Sequence, residues 1–114
     1  GRIISGFSAT NPLRKGIDLA GQLGEPVVAA DSGSVVYAGS GLAGYGELVI
    51  IKHNEQFLSA YGHNSKLLIK EGDAVKAGQK IAEVGSSGTD SNKLHFEIRK
   101  DGKPVDPLSY LPKR

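Results

Sequence analysis

The sequence predicts one mainly β domain of short antiparallel strands, and three observations carry that expectation. Sixteen glycines are spread along the 114 residues rather than clustered, which suits many short elements joined by tight turns. Runs rich in β-branched and aromatic residues recur between polar turn clusters. No window holds apolar residues at i, i+3, i+4 and i+7 for three turns, so little helix is expected.

Taken in chain order, Val27 to Ala30 and Ser34 to Ala38 flank Asp31-Ser32-Gly33 and read as a hairpin whose glycine makes the turn. Glu47 to Lys52 and Phe57 to Tyr61 flank the polar stretch His53-Asn54-Glu55-Gln56 and read as a second hairpin. Leu67 to Ile69, Lys80 to Val84 and Leu94 to Arg99 are further strand candidates. Glu71-Gly72-Asp73, Ala77-Gly78-Gln79 and Lys100-Asp101-Gly102-Lys103 are their turns. Pro104, Pro107 and Pro112 restrict themselves and the residues before them, so the C-terminal stretch is expected to be an extended closing segment or a short turn. The spacing suits a sandwich-like or barrel-like sheet.

The chain is long enough for a single hydrophobic core and is read as one domain over residues 1–114. With 39% hydrophobic and 23% charged residues, it has the composition of a globular protein. A net charge of +2, with aromatics that do not interleave with basic runs, argues against a nucleic-acid partner. No stretch approaches the ~20 apolar residues of a spanning helix, so no membrane contact by this domain is expected. The start at Gly1, without an apolar leader, suggests a C-terminal piece of a larger protein. Cysteine is absent, which removes disulfides, thiolate ligands and a cysteine nucleophile together. The glycines at Gly39, Gly41, Gly44 and Gly46 do not make a phosphate loop, since no lysine followed by serine or threonine accompanies them.

Four strings carry the chemical information: RKGIDLA (14–20), YAG with GYG (37–46), SAYGHN (59–64) and KLHFEIR (93–99). In these strings, and in the closing stretch from Gly102 to Leu111, the chain resembles the lysostaphin and LytM type of zinc endopeptidase, nearly end to end. The resemblance implies an antiparallel β-sheet fold with a groove. It also implies where a zinc site would lie: a histidine and an aspartate from one motif, a second histidine from another, and water in the fourth position. A catalytic zinc needs that open position, because its bound water loses a proton near neutral pH.

Carried over position by position, the aspartate ligand falls on Asp18, a histidine ligand on His95 and a proton-handling histidine on His63. The first histidine ligand falls on Arg14 and the other catalytic histidine on Lys93. Arginine has no lone pair to give and stays protonated. Lysine would first have to lose its proton. Only three histidines exist in the chain, and the third, His53, sits in a turn remote in sequence from the RKGID segment. The expectation is therefore a chain with no catalytic residue, no metal site and no cofactor.

A degenerate domain of this kind resembles the non-catalytic activators of cell-wall amidases. That likeness implies the periplasm of a Gram-negative bacterium, a parent lipoprotein anchored to the outer membrane, and an N-acetylmuramoyl-L-alanine amidase as partner. The groove expected to receive it comprises Arg14, Asp18, Tyr45, His63, Lys93 and His95. The alternative readings are a module that binds peptidoglycan without activating anything, and a zinc endopeptidase with a rebuilt metal site. Beside these stand plainer expectations: Asp18 and His95 as mutual hydrogen-bond partners, Arg14 and Lys93 as solvated charges, His53 as a turn residue, and Tyr37 and Tyr61 as packing residues.

Overall fold

The computed structural model describes residues 3–8, 10 and 15–110. Among these residues ten strands follow in order: β1 (Ile3–Ser5), β2 (Ile17–Ala20), β3 (Pro26–Val28), β4 (Gly33–Gly39), β5 (Glu47–Lys52), β6 (Phe57–Leu67), β7 (Ala74–Val75), β8 (Lys80–Val84), β9 (Lys93–Lys100) and β10 (Lys103–Val105). A 3₁₀ turn at Pro107–Ser109, capped by the Asp106 side chain, closes the described chain. Among the described residues no helix is long and apolar enough to cross a membrane.

All pairings are antiparallel, and the sheet runs β1-β2-β9-β6-β5-β4-β7 without closing on itself. β10 folds back on β9, while β8 pairs with both β3 and the far end of β6. The central strands alternate, as a half-buried sheet must. Val49 and Ile51 of β5, Tyr61 of β6, and Phe96 and Ile98 of β9 point to one face and are buried there with Ile17, Val35, Ile81 and Val84. The core lies between that face and the β3–β8 pair.

The β5–β6 hairpin forms as the sequence predicts, with Ile51 opposite Ser59 and Lys52 opposite Leu58. Its turn is pinned by Asn54, whose Oδ1 accepts from the backbone N–H groups of Gln56 and Phe57 at 2.8 and 2.9 Å, the usual role of a short amide in a turn. β6 is longer than expected because it changes partners. It pairs with β9 through Gly62 and with β8 from Asn64 onward. The residue between, His63, sits in the left-handed region at φ 66°, where a non-glycine residue is uncommon.

The hairpin expected from Val27–Ala30 and Ser34–Ala38 does not form. β3 pairs with β8, whereas β4 pairs with β5 and β7. Gly33 is no turn glycine; a Cβ there would strike the carbonyl of Lys52, so its function is close passage over β5. The strand expected at Leu67–Ile69 reduces to the last residue of β6.

Candidate functional site

The register between β2 and β9 sets Asp18 directly opposite His95. The residues are far apart in sequence, yet Asp18 Oδ1 lies 2.6 Å from His95 Nδ1. Alternation along β9 places Lys93, His95, Glu97 and Arg99 on the face opposite the core. On that face Glu97 Oε2 meets His95 Nε2 at 2.7 Å. Its Oε1 accepts from Arg99 Nε at 3.0 Å and pairs with Nη2 at 2.8 Å. Arg99 Nη2 in turn reaches the Tyr45 hydroxyl at 3.4 Å. A continuous polar strip therefore runs Asp18, His95, Glu97, Arg99, Tyr45, with the Glu97 side chain only 1% exposed.

The charges follow from these contacts. Burial pushes the Glu97 carboxyl up, but hydrogen bonds from His95, Tyr45 and Arg99 outweigh it and hold it at about 2. Burial pushes His95 down, and the two carboxylates overcome this and raise it. With an acidic oxygen within hydrogen-bond distance of each ring nitrogen, the doubly protonated form of the ring is the one these contacts favour. In that protonated form a ring has no lone pair for a metal, since a ligating histidine must be neutral.

His63 is held differently. Its backbone N–H donates to the Tyr45 carbonyl and its Nδ1–H to the Ser87 carbonyl, both at 2.8 Å, which leaves Nε2 with the lone pair. Burial lowers its pKa, against the opposing pull of the Ser87 carbonyl, so this ring stays neutral. The two imidazoles lie edge to face with centroids 5.9 Å apart. Tyr45 flanks His95 at 5.6 Å.

Ser87 fixes the wall beside His63. Its hydroxyl donates to the Asn64 carbonyl at 2.6 Å and accepts from the Glu47 N–H at 2.9 Å. The loops meet so closely that a Cβ on Gly46, itself at φ 63°, would collide with the Ser87 carbonyl. Lys93 completes this end of the groove, 17% exposed, with Nζ 4.0 Å from Asp90 at the margin of an ion pair. Beyond Arg99 the groove continues as an apolar cleft of about 170 Å³ lined by Leu42, Tyr45, Ile50 and Leu58.

The structure thus brings together Asp18, Tyr45, His63, Lys93 and His95. Arg14 lies outside the described residues. Glu97, Arg99 and Ser87 were not singled out in the sequence, although Glu97 and Arg99 follow His95 at the same two-residue period within KLHFEIR. Tyr61 is core, as expected. His53 does occupy the turn, but its side chain is a tie: Nδ1 lies 2.7 Å from the Ser32 carbonyl and Nε2 2.7 Å from Ser59 Oγ.

An open antiparallel sheet carrying an aspartate, two histidines and a tyrosine along one groove is the architecture of a peptidase fold. Residues 12–107 match peptidase family M23, and the chain belongs to that family. It is 68% identical over its whole length to a lipoprotein NlpD/LppB homolog of Pseudomonas aeruginosa, of which it covers 38%. It is 56% identical over its whole length to the murein hydrolase activator NlpD of Escherichia coli, of which it covers 30%. The chain therefore spans about a third of these relatives.

Among solved structures it resembles a zinc-containing peptidase from Vibrio cholerae, with TM-score 0.86 and 34% identity over 96% of this chain and 37% of that one. It also resembles lysostaphin from Staphylococcus simulans, with TM-score 0.87 and 30% identity over 96% of this chain and 48% of that one. A zinc ion of the kind these neighbours imply would have to be held around Asp18 and His95. Among the described residues no three His, Cys, Asp or Glu side chains gather as a ligand set, and each His95 ring nitrogen faces a carboxylate oxygen.

Proposed function

We propose that this domain is a non-catalytic activator of a periplasmic N-acetylmuramoyl-L-alanine amidase, within an envelope lipoprotein that promotes peptidoglycan hydrolysis during daughter-cell separation. The names of its relatives, murein hydrolase activator and lipoprotein, support the reading. The observation that carries it is the clamped His95 ring, which lies between the carboxylates of Asp18 and Glu97 with one at each nitrogen. Arg14 and Lys93, at positions where zinc peptidases of this type have histidines, add positive charge that disfavours a metal cation.

The same groove suits a different visitor. His95 and Arg99 are paired with Asp18 and Glu97, whereas Lys93 lies only at the margin of an ion pair and Arg14 adds a second cation to the sequence, so an acidic segment of the amidase is the complementary occupant. Activation requires that the groove bind the open amidase more tightly than the closed one, because equal affinity for both would shift nothing.

Dye release from labelled sacculi tests this with three arms: the domain with zinc, the amidase alone, and the mixture. Release confined to the mixture is the expected result. Release by the domain alone, abolished by a chelator, would sink the proposal. Lys93→Glu and Arg14→Glu each weaken activation if the groove is the docking site, and full activation by both variants would place the interface elsewhere.

A further inference from the structure

At the far end of the groove the polar strip gives way to the apolar cleft of about 170 Å³. Its floor is the sheet face opposite the core, where Leu58 lies opposite Arg99 and Ile50 opposite Ala60, and Leu42 and Tyr45 from the β4–β5 loop wall it. On the activator reading of the groove, on which this rests, we infer that the cleft seats an apolar side chain of the amidase, and that this contact, rather than the charged strip, sets how long the two proteins stay together.

The strip has few free groups. Asp18 and Glu97 are matched by His95 and Arg99, so its charges offset one another at short range. One Glu97 oxygen faces His95 and the other accepts from Arg99, and Arg99 Nη2 turns to the Tyr45 hydroxyl. Ser59 also borders the cleft, but its hydroxyl is held from the reverse side by His53 and Tyr61, each at 2.7 Å. Nor can an incoming segment add as a strand, because β9 lies between β2 and β6, and β6 between β9 and β5. Contact is therefore made by side chains.

In the cleft, apolar surface faces water. Ile50 and Leu58 are half-buried, and Leu42 is 44% exposed. Covering such surface is favourable in proportion to its area, and binding energy concentrates where an anchor side chain fills a pocket. Lys93 stands at the other end of the groove, and the cleft begins at Glu97, four residues along β9 or roughly 13 Å away. A carboxylate at Lys93 and an apolar side chain in the cleft are thus two points on one docking segment. Their effects differ in kind: a rim charge steers the encounter, whereas a desolvated anchor governs release.

The test is surface plasmon resonance between the 114-residue chain and a purified periplasmic N-acetylmuramoyl-L-alanine amidase, in low and in high salt. Leu58→Ala and Ile50→Ala are expected to raise the dissociation rate at least about tenfold, with the association rate held within about twofold. Leu42→Ser, at an exposed position outside the core, should raise it as well, which separates the effect from any folding defect. Lys93→Ala should do the opposite, slowing association and flattening its salt dependence with little change in dissociation. Binding by the native chain whose dissociation is unmoved by Leu42→Ser and Ile50→Ala would overturn the cleft assignment and leave the activator reading standing. No binding by the native chain would remove both.

Discussion

The two faces of β9 solve burial in opposite ways. On one, Phe96 and Ile98 join Tyr61 and Ile51 in a core held by the removal of apolar surface from water. On the other, Glu97 is equally buried yet sits in a line of ions, shared between His95 and Arg99. The apolar face tolerates small losses, since its neighbours relax. The ionic face does not, because removing one member leaves its partners charged and undercompensated.

The largest effect should follow from breaking the ionic face at its centre. Glu97→Ala is expected to destabilise the domain by about 3–5 kcal/mol in urea unfolding, and a value near zero would mean that His95 and Arg99 find new partners. Tyr61→Phe removes one hydroxyl from the buried chain that includes Ser59 and His53 and should lower stability by about 1–3 kcal/mol. On the apolar face, Ile51→Val should lower it by only about 0.5–1.5 kcal/mol.

Acid titration sharpens the same contrast. Glu97 ionises at about 2 in the fold against an ordinary value of 4.5. Its contribution is therefore fully present above pH 4.5 and is lost as pH falls toward 2. His95 is shifted up, so its contribution is present below its ordinary value of 6.5 and is lost as pH rises through its folded value. Unfolding midpoints measured across pH should fall at both ends in the native chain. In Glu97→Gln the acid loss should shrink, and an unchanged acid limb would assign it to other carboxylates.

Much of the apolar face was legible in the sequence. ELVIIK and KIAEV show strand composition, and the turn glycines Gly72, Gly78 and Gly102 do adopt positive φ. The first hairpin was misread because Asp31-Ser32-Gly33 has turn composition, whereas Gly33 is required by close approach to β5, a long-range contact that local chemistry does not reveal. The site was half legible. Asp18 and His95 are named by their strings, but a buried glutamate looks like any surface charge until pairing with β2 and β6 encloses it. The left-handed backbone of His63 is likewise a consequence of β6 exchanging β9 for β8, which no turn signal announces.

The strand order has a kinetic meaning as well. β9, the last long strand of the chain, lies in the middle of the sheet between β2 and β6. Until it is inserted, β2 has only β1 beside it, and Asp18 has no His95 to meet. Assembly must therefore wait for ends of the chain distant in sequence to find each other, the arrangement that gives slow folding for a domain of this size. A chain cut before Lys93 would lose the seam that joins the two halves of the sheet.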